Sequence, residues 1–257
     1  MSQNNNKYWM YSKYAIEFAL KNKQRQIHEI LLEEKQISYF DMLLEKNNLF
    51  WRKNIKKFIV NKKTILKKIG SKAKYQGIAV LVNKLPKLNF QNFLNLPIKK
   101  NNNEIILLID KFDDIYNLGS ILRTSYIFGV KYILLQTEGI TIENGYLSSI
   151  ASGALDKVNL IQIGNTVNTI KLLKKNDWWV IGLDSNETLN TLSIKSYNPK
   201  NLNHVLIVGS ESKGLRKSIQ VSSDELLNIP MTNNDIGSLN VANATSIALF
   251  HLSRIKT

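Results

Sequence analysis

The second half of this chain alternates short, unbroken apolar runs with stretches of helical period, and that rhythm leaves few folds open. IILLID at 105–110, YILLQ at 132–136, VNLIQI at 158–163, WWVIGLD at 178–184, HVLIVGS at 204–210 and LLNIPM at 226–231 each have the length of one strand. A strand that is apolar at successive positions, rather than at every second one, is buried on both faces, as in a parallel sheet. Helical patterns lie between these runs: NLGSILRTSYIFGV at 117–130 with its closing Gly129, then 166–175, then 241–255. The rhythm predicts an α/β domain over residues 104–257, its mostly parallel sheet covered on both faces. No internal repeat is visible.

The first half reads less sharply. YAIEFAL within 13–20 has helical spacing, IHEILLEE at 27–34 is an apolar run closed by acids that suits strand or helix, and 41–50 is a helical candidate. Residues 55–69 set Ile55, Ile59, Leu66 and Ile69 among lysines, a helix or strand pair with a basic outer face. GIAVLV at 77–82 is a strand. The expectation is a small α/β domain over 1–83. A linker over 84–103 should follow, since that stretch has two prolines and an Asn cluster.

Charge separates the two halves. Residues 1–103 carry 21 Lys/Arg against 6 Asp/Glu, a net of +15, whereas residues 104–257 carry 14 of each. An AT-rich genome inflates lysine everywhere, so it cannot alone produce the asymmetry. An anionic partner for the first half, nucleic acid above all, explains it better. There is no cysteine, which excludes disulfides, thiolate metal sites and a cysteine nucleophile. Apolar runs such as 105–109 are far short of the roughly 20 residues that span a bilayer, so no membrane partner is expected. The polar opening SQNNNK lacks the apolar core of a secretory signal. A cytoplasmic or organelle-matrix enzyme fits. His28, His204 and His251 are scattered, so no metal site is expected, and His204 at a strand start reads as structural.

GSESKG at 209–214 follows a strand and has the two glycines of a phosphate loop, yet Lys213 precedes the second glycine and Leu215-Arg216 stands where Lys-Ser/Thr should be. No G-x-G-x-x-G opens either half, so a dinucleotide fold fails as well. What remains is three stretches, each at the C-terminal end of a strand, the edge where open α/β sheets bind ligands. They are DKFDDIYNLGSILRTSYIFGV at 110–130, LIVGSESKGLRKSI at 206–219 and LNIPMTNNDIGSLNVANATSIALF at 227–250.

Together with ASGA at 151–154, these stretches closely resemble the three signature motifs of the SpoU (TrmH) family of RNA ribose 2′-O-methyltransferases, in the SPOUT superfamily. The resemblance covers residues 104–257, and three motifs in order are far more specific than one. It implies an α/β sheet with a C-terminal trefoil knot, which no sequence pattern would suggest and fold rules disfavour. MYSKYAIEFAL at 10–20 and YQGIAV at 75–80 look like the opening helix and closing strand of the L30e-like RNA-binding domain of one subgroup, which includes 23S rRNA guanosine methyltransferases. In the opening helix, Ser12 and Tyr14 stand where that subgroup usually has Gly and His.

The resemblance implies S-adenosylmethionine as cofactor, structured RNA as substrate (rRNA ahead of tRNA) and a homodimer packed through helices that include 241–255. It marks Arg123 as the essential arginine, Asn117 as ordering it, Glu211 as its support, and Ser238 and Asn240 as small polar groups facing cofactor and ribose. Gly209, Ile229, Met231, Ser238 and Leu239 match cofactor-holding positions. A guanidinium keeps its proton to above about pH 12, so Arg123 reads better as a clamp on phosphate and developing alkoxide than as a free base. Alone, Asn117 is an ordinary helix cap, Glu211 a solvated loop acid, and Ile229 and Leu239 core. Thr232 and Asn233 stand where the family commonly has glycine after Pro-Met, and the loop 231–238 is about one residue longer than in close relatives. Lys53, Lys56, Lys57, Lys62 and Lys63 are the candidate RNA contacts from charge. Two other readings stay open: a tRNA ribose methyltransferase, and a non-catalytic RNA-binding protein of ribosome assembly.

Overall fold

The computed structural model describes residues 6–137, 142–185, 191–198, 202–210, 214–233 and 237–253. The chain divides into two compact units, one of Met1–Pro86 with Thr141–Lys157, the other of Lys87–Ile140 with Val158–Thr257.

The first unit is built on a four-stranded sheet. Its elements run β1 (Lys7–Met10), α1 (Lys13–Lys21), β2 (Ile27–Leu32), α2 (Ile37–Lys46), β3 (Lys56–Ile59), α3 (Lys62–Ile69) and β4 (Ile78–Asn83). The sheet order is β1-β4-β2-β3, antiparallel except for the β2–β3 pair. Met10, Ile16, Leu20, Ile30, Phe40, Leu44, Ile78 and Val80 form its main core. The ambiguous run at 27–34 is a strand because Ile30, Leu31 and Leu32 are all buried in mid-sheet. The helix expected at 41–50 begins earlier and stops at Lys46, and β1 is an element the sequence pattern did not mark.

The second unit begins with α4 (Phe90–Leu94) and continues β5 (Ile105–Ile109), α5 (Ile115–Ile127) and β6 (Tyr132–Gln136). The short α6 (Gly145–Ile150) belongs to the first unit, after which come β7 (Asn159–Ile163), α7 (Thr166–Lys175), β8 (Trp178–Leu183), β9 (Leu192–Ser193), β10 (Asn203–Val208), α8 (Lys217–Ser222), β11 (Glu225–Asn228) and α9 (Val241–Ser253). The sheet order is β7-β6-β5-β10-β8-β11-β9, and every pairing among the described residues is parallel. β5 and β10 lie mid-sheet and are buried at every position, which is why they are written as continuous apolar runs.

Two boundaries differ from the sequence expectation. The stretch 84–103 contains α4, whose Phe93 is buried in the second unit's core against Tyr132 and Trp178. Its prolines and asparagines mark turns around a docked helix, so it is not a free linker. Residues 141–157, between β6 and β7 in sequence, pack into the first unit. Arg25 is fully buried there; its Nε and one terminal nitrogen donate to the two oxygens of Asp156 at 2.9 and 3.0 Å, and its other terminal nitrogen donates to Glu143. Burial by itself disfavours the guanidinium charge, and the Asp156 and Glu143 carboxylates more than offset this, so its pKa lies above the ordinary value. Tyr8 donates to Glu143 at 2.9 Å, and at Gly145 a Cβ would sit 2.1 Å from the carbonyl oxygen of Trp9. The ASGA stretch at 151–154 lies on this inserted segment.

His204, on β10, is buried beside the Tyr197 hydroxyl at 3.3 Å. Burial pushes its imidazole down from 6.5 to about 4. The unfolded chain therefore binds more protons than the folded one between these values, and stability falls as pH drops from 6.5 through 4. The loss should be on the order of 3 kcal/mol. Urea midpoints measured across this window should fall further for the natural chain than for His204→Gln; parallel curves would refute the assignment.

Candidate functional site

The C-terminal edge of the second unit's sheet ends in a row of polar residues and glycine. Val208 registers with Ile109 and Leu183, Ile109 with Leu135, and Leu183 with Leu227. One residue further on, Gln136, Asp110, Gly209, Asp184 and Asn228 therefore stand side by side across five strands. Apolar runs that end in Asp, as IILLID and WWVIGLD do, are the trace of this row in the sequence.

The row is tied together by charge. Asp110 is almost fully buried and receives both Nε (2.8 Å, to Oδ2) and a terminal nitrogen of Arg216. The Thr166 hydroxyl, at the start of α7, donates to Asp110 Oδ1 at 2.6 Å, and Arg216 also donates to Gln136 Oε1 at 3.1 Å. Asp184 accepts from Gln220 Nε2 at 2.7 Å. Arg216 and Gln220 both follow the loop that opens at Gly209, so that loop is anchored to strand ends on either side of β10. A bidentate guanidinium is the partner best suited to a carboxylate held out of water. Sequence reading gave neither Asp110 nor Arg216 a role.

Gly209 and Gly214 close the loop by direct backbone contact. Gly214 N donates to Ser210 O at 2.9 Å, and a Cβ at Gly209 would lie 2.2 Å from the Gly214 carbonyl oxygen. No other residue type fits at Gly209 without opening the loop. Glu211, in the same loop, lies outside the described residues.

The first and third motif stretches meet through two asparagines. The α5 N-cap is Asp114, whose side chain accepts from Tyr116 N at 2.9 Å; Asn117 stands inside the helix and so is not the cap. Asn117 Oδ1 accepts from Asn240 Nδ2 at 2.9 Å, and Asn240 Oδ1 accepts from Ala242 N at 2.9 Å, capping α9. Seven residues, almost two turns, further along α5, Thr124 Oγ1 faces Ser246 Oγ of α9 at 3.3 Å. Residues seven apart share a helix face, so Asn117 and Thr124 define the seam with α9. Arg123, about 100° round the helix from Thr124, is exposed.

The remaining candidates separate. Ile229 and Met231 are half-buried just past β11, while Ser238 and Leu239 are exposed immediately before Asn240. Neither Ile229 nor Leu239 joins the core, so their apolar side chains stay available at the sheet's binding edge. Lys53, Lys56, Lys57, Lys62 and Lys63 are all exposed on the first unit, Lys56 and Lys57 on edge strand β3 and the last two in the first turn of α3. Cations in a helix's first turn oppose its dipole, so stability does not account for Lys62 and Lys63.

Replacing Arg216 by Ala leaves the Asp110 carboxylate buried with only its hydroxyl partner. The expected cost is roughly 2 kcal/mol, below that of a fully buried pair because Arg216 is partly exposed; Arg216→Lys should recover part of it. Urea denaturation checks this, and an unchanged midpoint for Arg216→Ala would remove the pair from any structural role.

Comparison with known proteins places these stretches in context. A model of the SpoU rRNA Methylase family matches residues 104–250. The chain is 34% identical over 196 residues to a Borreliella burgdorferi protein named an uncharacterized tRNA/rRNA methyltransferase, covering 74% of this chain and 83% of that one. It is 33% identical over 187 residues to the 23S rRNA (guanosine-2′-O-)-methyltransferase RlmB of Blochmanniella floridana, covering 71% and 70%. Among solved structures, the SpoU methyltransferase AviRb from Streptomyces viridochromogenes, in complex with AdoMet, superposes with a TM-score of 0.77 at 14% identity over 99% of this chain and 94% of that one. An AdoMet-bound rRNA methyltransferase from Sinorhizobium meliloti gives 0.74 at 19% identity over 98% and 88%.

Proposed function

The chain belongs to the SpoU rRNA methylase family, and on that premise we propose that it transfers a methyl group from S-adenosylmethionine to a ribose 2′-hydroxyl of RNA, at a guanosine of large-subunit rRNA. The observation that carries the reading is the Asn240–Asn117 hydrogen bond, which joins the third motif stretch to the first at the end of the sheet where the Gly209 loop is anchored. The guanosine and its rRNA rest on likeness to the Blochmanniella enzyme. A tRNA ribose is the second reading, favoured by relatives named for both RNAs.

The edge suits the cofactor. Gly209 has its backbone bare and no room for a Cβ, while Ile229, Met231 and Leu239 offer apolar surface beside Ser238. A nucleoside carrying a sulfonium amino-acid chain would take this mixture of apolar contact and main-chain polar groups. When bound, S-adenosylmethionine supplies an electrophilic methyl. Among the chain's own residues, Arg123 holds the RNA phosphate and the developing alkoxide, while the hydroxyl proton leaves to that phosphate or to water. Asn117 and Asn240, locked to each other, fix the ends of α5 and α9 on either side of it in sequence. Glu211 supports the arginine in this reading. The trefoil knot and the L30e-like identity of the first unit belong to the same proposal.

Arg123→Ala should abolish methyl transfer while leaving S-adenosylmethionine affinity, read by calorimetry, nearly unchanged. Neutralising Lys56, Lys57, Lys62 and Lys63 should instead weaken RNA binding and flatten its salt dependence, with turnover at saturating RNA retained. Methylation mapping of total RNA from cells with and without the protein identifies the target. Near-normal transfer by Arg123→Ala would show the active site to be elsewhere.

A homodimer through α9 is part of the reading. Of the helical stripe at Val241, Ala244, Ile247, Ala248 and Leu252, the structure buries Ala248 and Leu252 in the unit's own core and leaves Ile247 exposed, together with Phe250. Ile127 and Tyr126 of α5 are exposed as well. Light scattering at micromolar concentration should give twice the 29.4 kDa chain mass, and Ile247→Glu with Phe250→Glu should give the monomer.

A further inference from the structure

Two adjacent large aromatic side chains of the first unit lie on its surface. Phe50 and Trp51, in a 3-10 turn at Phe50–Arg52, are 52% and 48% exposed. The next residue explains why the indole is held in place. Arg52 is buried and donates to three main-chain oxygens, those of Leu20 (3.2 Å), Asn22 (2.7 Å) and Arg25 (2.9 Å). Its guanidinium lies 3.8 Å from the centre of the Trp51 ring. One face of the indole is thus fixed on an immobilised cation, and the side chain as a whole remains half open to solvent. Lys53 stands over Phe50 at 4.5 Å.

The surroundings are cationic. Residues 51–103 contain 14 Lys and Arg and no Asp or Glu. Lys53, Lys56 and Lys57 are exposed, and edge strand β3 adds a partly exposed Phe58. Asp41 of α2 pairs with Lys57 at 3.5 Å, and Asp156 is the acid whose charge acts on Arg52. A protein partner or second copy of this chain that covered Phe50 and Trp51 would also have to neutralise these cations, and this chain's own charge is +15. RNA does both at once, because bases offer flat π-faces and the backbone offers phosphates.

We propose that Trp51, with Phe50 beside it, is a stacking platform for unpaired bases of the RNA substrate, with Lys53, Lys56 and Lys57 taking the adjoining phosphates. The proposal rests on the RNA-modifying reading above and adds to it that the first unit selects single-stranded elements, a loop or bulge. A continuous duplex hides its base faces and would be held by phosphate contacts alone.

The test uses the full chain and two RNA probes of equal length, a hairpin with an unpaired loop and a perfectly paired duplex. Trp51→Ala should weaken hairpin binding by about tenfold or more, leave duplex binding within about twofold and leave the salt slope unchanged. Trp51→Phe should retain most of the hairpin affinity. The natural chain should show tryptophan quenching on hairpin binding that Trp51→Phe lacks. Neither variant touches the Arg52 hydrogen bonds, and Trp51→Phe keeps the ring. If Trp51→Ala binds the hairpin as the natural chain does, the platform is refuted while the RNA-modifying reading stands. If the natural chain binds neither RNA, both fail. If Trp51→Ala changes only the mass in light scattering, the surface belongs to a second copy and the proposal is overturned.

Discussion

A carboxylate that must stay charged inside a protein dictates what is built around it, and Asp110 does this for the second unit. It sits at the end of a strand that is buried at every position, where an unpaired charge would be costly. Arg216 supplies the counter-charge and reaches it only because the loop after β10 turns back on itself at Gly209 and Gly214. Thr166 and Gln136 complete the shell, drawing in the start of α7 and the end of β6. The loop after β10 is fastened at both ends, one by the Gly209–Gly214 backbone contact and the other by the Arg216–Asp110 ion pair.

The parallel sheet was legible because burial on both faces leaves a mark that survives without any partner: five or six apolar residues in succession. Elements whose reason for existing lies elsewhere in the chain were less so. β1 has only four residues and one of them is exposed, so it carries no pattern of its own; it is a strand because β4 pairs with it. Phe93 is one of several apolar residues in a stretch punctuated by proline and asparagine, and only Tyr132 and Trp178, distant in sequence, mark it out as core. Residues 141–157 look like a connection between two strands of one sheet. Their attachment to the first unit depends on Arg25, which a sequence reading has no reason to join to Glu143 or Asp156.

At the site, residue types that stand out by composition were found, and those that work by position were not. Asn117 and Asn240 were both singled out, yet their contact with each other and the capping of α9 follow from the seam between two helices and have no local signal. Arg216 was passed over as the residue that spoiled a phosphate loop, when its place after Gly214 is what fastens the loop. Phe50 closes the helical candidate at 41–50, and Trp51 has no reading of its own. Their exposure goes with α2 ending at Lys46, before the 3-10 turn that carries them.

The insertion of 141–157 also sets the order of events on the ribosome. Arg25 is made early, but the carboxylates that balance it are 118 and 131 residues further along the chain. Until they emerge, the first unit holds a guanidinium that cannot enter its core without a partner, and closing so long a loop is slow. The N-terminal unit therefore cannot complete its core until residues 142–157 are made, although its sheet is synthesised first. Those residues follow β5, α5 and β6 in the chain, so three elements of the second unit precede the segment that completes the first.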